Sequence, residues 1–186
     1  MKKTGTHAWR ERFPQFNENR AITPWLRDRG SLTERLRSAG SFSVALLNQS
    51  LATPTRDEAG ELALKLGQLA LVREVALISR NRPVVFAHTV LALTPTGPLT
   101  RWMDRLGSRS LGSLLFAHPR FVRGSLNARR LCREHPLYAP AVKALQLTAA
   151  PPPILWARRS SFSFGRQSVL VTEVFSPRIF RFPSTL

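Results

Sequence analysis

Two charged residues lie where strand periodicity would bury them. Glu173 is the only acidic residue after Glu134, and it interrupts the apolar run Val169-Leu170-Val171-Thr172-Glu173-Val174-Phe175. Side chains alternate faces along a strand, so Val169, Val171, Glu173 and Phe175 share one face. Arg73 holds a matching place in Leu71-Val72-Arg73-Glu74-Val75-Ala76-Leu77-Ile78, on a face with Leu71, Val75 and Leu77. A charge taken out of water needs a partner. Two uses fit this pair. They can neutralise each other, or Arg73 can snorkel to a sheet edge. Alternatively, they can line one pocket for a small, polar, anionic molecule and act on it there. Alternation alone favours the structural pair, because ion pairs of that kind are common.

Local signals define the elements that must position these residues. Residues 1–24 read as a polar, weakly ordered arm with Trp9, Phe13 and Phe16, and Trp25-Leu26 as the first core contact. Ser31-Leu32-Thr33-Glu34 has the capping-box pattern, in which the serine accepts from an early amide and the glutamate reaches back. Leu32 and Leu36 share a face and Gly40 suits a helix end, so Ser31 to Ala39 reads as a helix. Ser41–Leu51, Leu69–Ser79, Val84–Leu93, Leu155–Phe164 and Ser168–Phe175 read as strands. Arg80-Asn81-Arg82-Pro83 and Gly165-Arg166-Gln167 read as the turns of two hairpins. Asp57–Leu66 suits a helical turn limited by Gly60 and Gly67. Thr94–Pro98 breaks the chain. Trp102–Leu106 and Leu111–Phe116 read as short helices around the Gly107-Ser108-Arg109-Ser110 turn. Residues 118–154 read as irregular with short helical pieces, and the tail after Pro177 as loose. Hairpins with helices grouped between them predict a single α+β domain on an antiparallel sheet, not a doubly wound parallel one.

Composition narrows the function classes. The chain has 186 residues, enough for one domain with a sizeable core, and its apolar fraction of 43% argues against wholesale disorder. No apolar run approaches the roughly 20 residues of a spanning helix. Met1–Arg12 has basic residues but no apolar segment, so it is not a secretory signal, and a cytoplasmic protein is expected. Cys132 is the sole cysteine, which excludes an internal disulfide and zinc-type ligand spacing.

A net charge of +17 invites a nucleic-acid reading, but its distribution weakens that reading. Basic residues outnumber acidic ones nine to four over 1–40, five to four over 41–100, eight to two over 101–134 and six to one over 135–186. The excess is spread, and no zinc finger or RNP-like aromatic motif accompanies it, so no specific nucleic-acid partner is expected. Such a field would speed the arrival of anionic substrates, and it equally suits weak association with an anionic membrane surface.

Familiar chemistry motifs are missing from the sequence. It holds no phosphate loop, no dinucleotide glycine pattern after a strand and no His-Glu-x-x-His. Ser113 and Cys132 lack a nucleophile context. His7, His88, His118 and His135 lie far apart, and His88 reads as a satisfied histidine rather than a ligand. Glycines around the start of the Leu111 helix leave backbone N–H groups free to approach an anion, although an ordinary helix connection has the same spacing. Trp156, Arg158 and Ser160 share a strand face. Whether Arg158 pairs with an acid or faces solvent is left open.

An ordered set of short motifs runs through the chain: Trp25-Leu26, Ser31-Leu32-Thr33, Arg73-Glu74-Val75, Leu106-Gly107, Leu111-Gly112 with Leu115-Phe116, Leu155-Trp156-Ala157-Arg158-Arg159-Ser160, and Leu170 to Phe175 with Pro177. Their order and spacing from Trp25 to Pro177 resemble bacterial chorismate lyase, also called chorismate–pyruvate lyase. The resemblance implies an antiparallel sheet with helical flaps covering an enclosed ligand site. The domain would occupy 25–177, with a basic arm over 1–24 and a tail over 178–186. It implies conversion of chorismate to 4-hydroxybenzoate and pyruvate, toward ubiquinone, with no metal or organic cofactor; separately, a monomer is expected. The family's carboxylate-binding arginine falls on Arg73, its hydroxyl-binding glutamate on Glu173, and two backbone contacts on Leu32 and Leu111. At the Leu32 position the family also uses methionine. With this resemblance, the pocket reading of Arg73 and Glu173 outweighs the structural pair.

One rival has the same architecture: effector domains of bacterial transcription regulators bind a small acid without consuming it. Those domains normally follow a winged helix-turn-helix, for which residues 1–24 are too short.

Overall fold

Seven antiparallel strands carry the molecule in the computed structural model, which describes residues 9–11, 21–93, 97–107 and 109–181. They are β1 (Phe42–Ala52), β2 (Ala70–Ser79), β3 (Arg82–Ala92), β4 (Val122–Arg123), β5 (Asn127–Leu131), β6 (Leu155–Phe164) and β7 (Gln167–Phe175). The order across the sheet is β1-β2-β3-β7-β6-β4, with β5 also pairing to β6. Two hairpins, β2–β3 and β6–β7, therefore meet at the β3–β7 seam. The α+β class and antiparallel sheet expected from hairpin order are present.

Helices α1 (Thr23–Arg27), α2 (Leu32–Ser38), α4 (Pro98–Asp104) and α5 (Leu111–Ala117) cover one face. That front face is built from alternate residues such as Val75, Leu77, Val85, Ala87 and Phe175 beneath α1 and α2, and Leu71, Leu91, Phe162 and Val169 beneath α4 and α5. The back face holds the complementary set. Phe86, Leu155, Ala157 and Val174 pack on α6 (Tyr138–Ala144), while Ala70, Val72, Val90 and Leu170 pack with Leu62, next to α3 (Arg56–Glu61). A strand buried on both faces reads as a continuous apolar run. This is why β2, β3 and β7 show little polar alternation.

Several local expectations differ from the structure. Ser31 Oγ accepts from the Glu34 amide at 3.3 Å, but the Glu34 carboxylate pairs with Arg37 at 3.2 Å instead of closing a box. The complete capping box is at Thr55–Glu58, on the helical turn read as ambiguous. Residues 118–154 are not wholly irregular, because β4 and β5 extend the sheet beyond β6. The stretch after Pro177 is not loose at its start: Pro177–Arg181 forms a 3-10 turn whose Ile179 is fully buried against α1 and β7. Ile22 joins the core before Trp25, and Arg10 pairs its backbone with Ala128 of β5. The remaining expectations for 1–8, 12–20, 94–96, 108 and 182–186 lie outside the described residues. Among the described residues, no helix is long and apolar enough to cross a membrane.

Candidate active site

Register places the two singled-out charges on adjoining rungs of the front face. Gln49, Arg73, Thr89, Val171 and Ser160 lie opposite one another across β1, β2, β3, β7 and β6. One two-residue step away, Val75, Ala87, Glu173 and Arg158 form the next rung. Arg73 and Glu173 are thus two strand spacings and one step apart, about 10 Å by 7 Å along the sheet. The space between them is a pocket floored by Val75, Ala87 and Val171 and walled by Leu77, Leu115 and Phe162.

Arg73 is one of the most deeply buried side chains in the protein. Its Nη1 donates to Gln49 Oε1 at 2.5 Å, and its Nη2 donates to the carbonyls of Gly107 at 2.5 Å and Arg109 at 3.3 Å. Gly107 adopts φ +54° in that turn, a conformation that suits glycine. All these partners are neutral, and burial pushes the Arg73 pKa below its ordinary value. A guanidinium held in this way keeps its charge for a ligand.

Glu173 does have an ionic partner, and it is Arg158 rather than Arg73. Arg158 Nε donates to Glu173 Oε2 at 2.5 Å, and its Nη1 donates to the carbonyls of Trp25 at 2.7 Å and Asp28 at 2.6 Å. The question left open for Arg158 is answered: it is buried and fixes the Glu173 carboxylate to the end of α1.

Two helix starts roof the pocket. Leu32 and Thr33 open α2, Leu111 and Gly112 open α5, and all four line the cavity. Thr33 and Ser110 share a buried hydroxyl–hydroxyl hydrogen bond of 2.6 Å. A Cβ on Gly112 would come within 3.0 Å of Thr33 Oγ1 and 3.3 Å of Ser110 Oγ, so glycine permits this close approach. An anion bound there would meet first-turn N–H groups and the positive ends of two helix dipoles.

All four residues singled out from the sequence (Leu32, Arg73, Leu111 and Glu173) line this one pocket. Sequence reasoning passed over Arg123, Gln49 and Thr33. Arg123 also lines the pocket and leans across the rings of Phe116 and Phe162, 5.3 Å from each centroid. It belongs to a two-residue strand, too short for periodicity to reveal. Gln49 on β1 carries no pattern until the register with Arg73 is known. Among the described residues, no group of three or more His, Cys, Asp and Glu is placed to hold a metal ion.

A family model described as chorismate lyase matches residues 8–183, nearly the whole chain. The chain belongs to the chorismate lyase family. It is 47% identical over 173 residues to a probable chorismate pyruvate-lyase from Dechloromonas aromatica (strain RCB), covering 92% of this chain and 95% of that protein. A second probable chorismate pyruvate-lyase, from Azoarcus sp. (strain BH72), is 44% identical over 179 residues and covers 95% and 94% respectively. Among solved structures, the effector domain of PhnF from Mycobacterium smegmatis is similar with a TM-score of 0.55 at 18% identity, over 80% of this chain and 89% of that one. The C-terminal domain of the histidine utilization repressor from Pseudomonas syringae pv. tomato str. DC3000 gives 0.54 at 11% identity, over 74% and 92%. At such identities these two likenesses show a shared fold and nothing more. This chain and those two domains thus share one architecture.

Proposed function

We propose that this protein converts chorismate to 4-hydroxybenzoate and pyruvate, and that Arg73 and Glu173 carry the reaction by gripping opposite ends of the ring. The observation that carries the reading is a buried arginine with only neutral partners, facing a fixed carboxylate across an apolar slot, in a chain of the chorismate lyase family. Arg73 binds the ring carboxylate through charge-assisted hydrogen bonds. The first-turn amides at Leu32 and Leu111 assist from the roof. Glu173 accepts the hydrogen bond of the C4 hydroxyl.

The chemistry asks little of the protein beyond placement. The bond from C3 to the ether oxygen breaks, C4 gives up its hydrogen as a proton, and the ring becomes aromatic. The three-carbon fragment leaves as the enolate of pyruvate and takes that proton at its methylene carbon, which turns its oxygen into the keto group. Aromatisation supplies the driving force, so the protein contributes orientation and a dry slot. Arg158 holds Glu173 through Oε2, which leaves Oε1 to meet the hydroxyl. Glu173 acts here as an acceptor that orients the hydroxyl, while the proton passes within the substrate. No metal or organic cofactor takes part in this scheme, and the protein works as a cytoplasmic monomer.

The test is incubation of purified protein with chorismate in metal-free buffer, following 4-hydroxybenzoate and pyruvate together. Equal accumulation of both, abolished by Arg73→Ala, is expected. Saturable 4-hydroxybenzoate binding without turnover would instead make the chain a binding module of the kind its fold relatives contain.

A further inference from the structure

The pocket contains a second arginine without an acidic partner. Arg123, on β4, donates from Nε to Ser160 Oγ at 3.0 Å and from Nη1 to the Arg29 carbonyl at 2.6 Å. Both acceptors are neutral. Among the described residues, neither Arg73 nor Arg123 makes an ion pair, whereas Arg158 and Glu173 cancel each other. The slot therefore carries two uncompensated positive charges. Burial, with Arg158 nearby, brings the Arg123 pKa down to about 10, which leaves it charged at neutral pH.

Resting on the lyase reading above, we infer that Arg123 is the binding group for the second carboxylate of the substrate, the one on the three-carbon enol ether. Charge count and position both point there. Chorismate is a dianion, and its charge matches the two free guanidinium groups. Arg73 lies at the β2 side of the slot, whereas Arg123 is tied to Ser160 of β6, beyond Glu173 of β7. The C4 hydroxyl and the C3 ether are neighbours on the ring. A group that holds the ether's carboxylate must then lie next to the group that holds the hydroxyl, and both must lie far from the one that holds the ring carboxylate. Arg123, Glu173 and Arg73 are arranged in that way. The planar faces of Phe116 and Phe162 keep the Arg123 fork at the slot wall.

This arrangement separates substrate from product. The aromatic product has lost the three-carbon arm, so Arg123 touches substrate and leaving group but not 4-hydroxybenzoate. Arg123 also faces the charge that grows on the enol oxygen as the ether bond breaks.

Two ligands test the inference without relying on turnover. One is 4-hydroxybenzoate. The other is its stable dianionic derivative with a 1-carboxyvinyloxy group at C3. In calorimetry, Arg123→Gln is expected to weaken the dianion by roughly ten- to hundredfold, the scale of one charge-assisted bond. Binding of 4-hydroxybenzoate is expected to stay within about twofold of the parent on the same principle, and so to report an intact fold. Ser160→Ala, which removes the Nε partner, is expected to weaken the dianion by a few-fold in the same selective way. Parallel weakening of both ligands, or an unchanged dianion, would overturn the inference. A parent protein that binds both ligands but leaves chorismate intact would defeat the lyase reading and leave this subsite standing.

Discussion

The two faces of the sheet treat charge differently. On the back face, His88 lies between Glu58, 3.2 Å from Nε2, and Glu74, 3.1 Å from Nδ1. Burial opposes the imidazolium, yet hydrogen bonds and attraction from both glutamates raise its pKa to about 9. Beside it, Arg159 pairs with Asp57 at 2.8 Å, and Asp57 also accepts from the Trp9 indole at 2.9 Å. These back-face charges answer one another. On the front face Arg158 and Glu173 answer each other too, but Arg73 and Arg123 bind only neutral acceptors. The chemical types are similar and the residues are adjacent in sequence, with Arg73 next to Glu74, Thr89 next to His88 and Arg158 next to Arg159. What marks the active face is charge whose partner is missing. Completed networks make the fold, and incomplete ones make a site.

That contrast can be broken from either side. The largest effect should come from Arg73→Ala, with a loss of about 10²- to 10⁴-fold in kcat/KM, the worth of one or two charge-assisted bonds. Thermal unfolding should change less than for the loss of a buried ion pair, because only neutral acceptors lose their donor. His88→Leu should do the reverse. It leaves Glu58 buried and Glu74 half-buried without their cation, a loss of about 3–5 kcal/mol in urea unfolding, while the folded fraction keeps its turnover per molecule.

A pH titration of stability sharpens the same comparison. The folded His88 pKa of about 9 lies above the ordinary 6.5. Its pairing therefore stabilises fully below about 6.5 and is lost as pH climbs through 9. Glu58 is shifted the other way: burial would raise its pKa, but His88 and the Thr55 cap lower it below 4.5. Its contribution is present above 4.5 and is lost as pH falls through that lowered value. Together the cluster is strongest from about pH 4.5 to 6.5. Unfolding free energies from urea titrations at pH 6 and pH 10 should differ by up to about 3 kcal/mol more in the parent than in His88→Leu. The smallest effect is expected for Glu173→Gln, with turnover within about tenfold of the parent. A loss of 10²-fold or more would instead assign the proton to Glu173.

Strand alternation made Arg73 and Glu173 visible because both interrupt otherwise apolar faces. The strands that carry them, β2 and β7, were legible to within a residue or two at their ends. Pairing between strands was not. Nothing in the local pattern says that Glu173 faces Arg158 and that Arg73 faces Gln49, because register across β1, β2, β3, β7 and β6 is set by the assembled sheet. β5, with Asn127 and Arg129-Arg130, reads as polar loop, and only its pairing with β6 makes it a strand. Arg123 had no readable signal for a related reason: it occupies a strand of two residues whose partner lies 39 positions along the chain. The 3-10 turn from Pro177 was hidden because one buried residue, Ile179, anchors it between Arg178 and an exposed Phe180.

The hydroxyl pair between Thr33 and Ser110 sets a clock as well as a shape. It joins the starts of α2 and α5, the two elements above the slot. A ligand that leaves through this seam must wait for the helix ends to part. Residence time of the product is then governed by how often that seam opens, not by how tightly the slot holds the ring. The first turnover should outrun those that follow, visible as a burst of 4-hydroxybenzoate on rapid mixing, and Thr33→Ala should shrink the burst by speeding every later cycle.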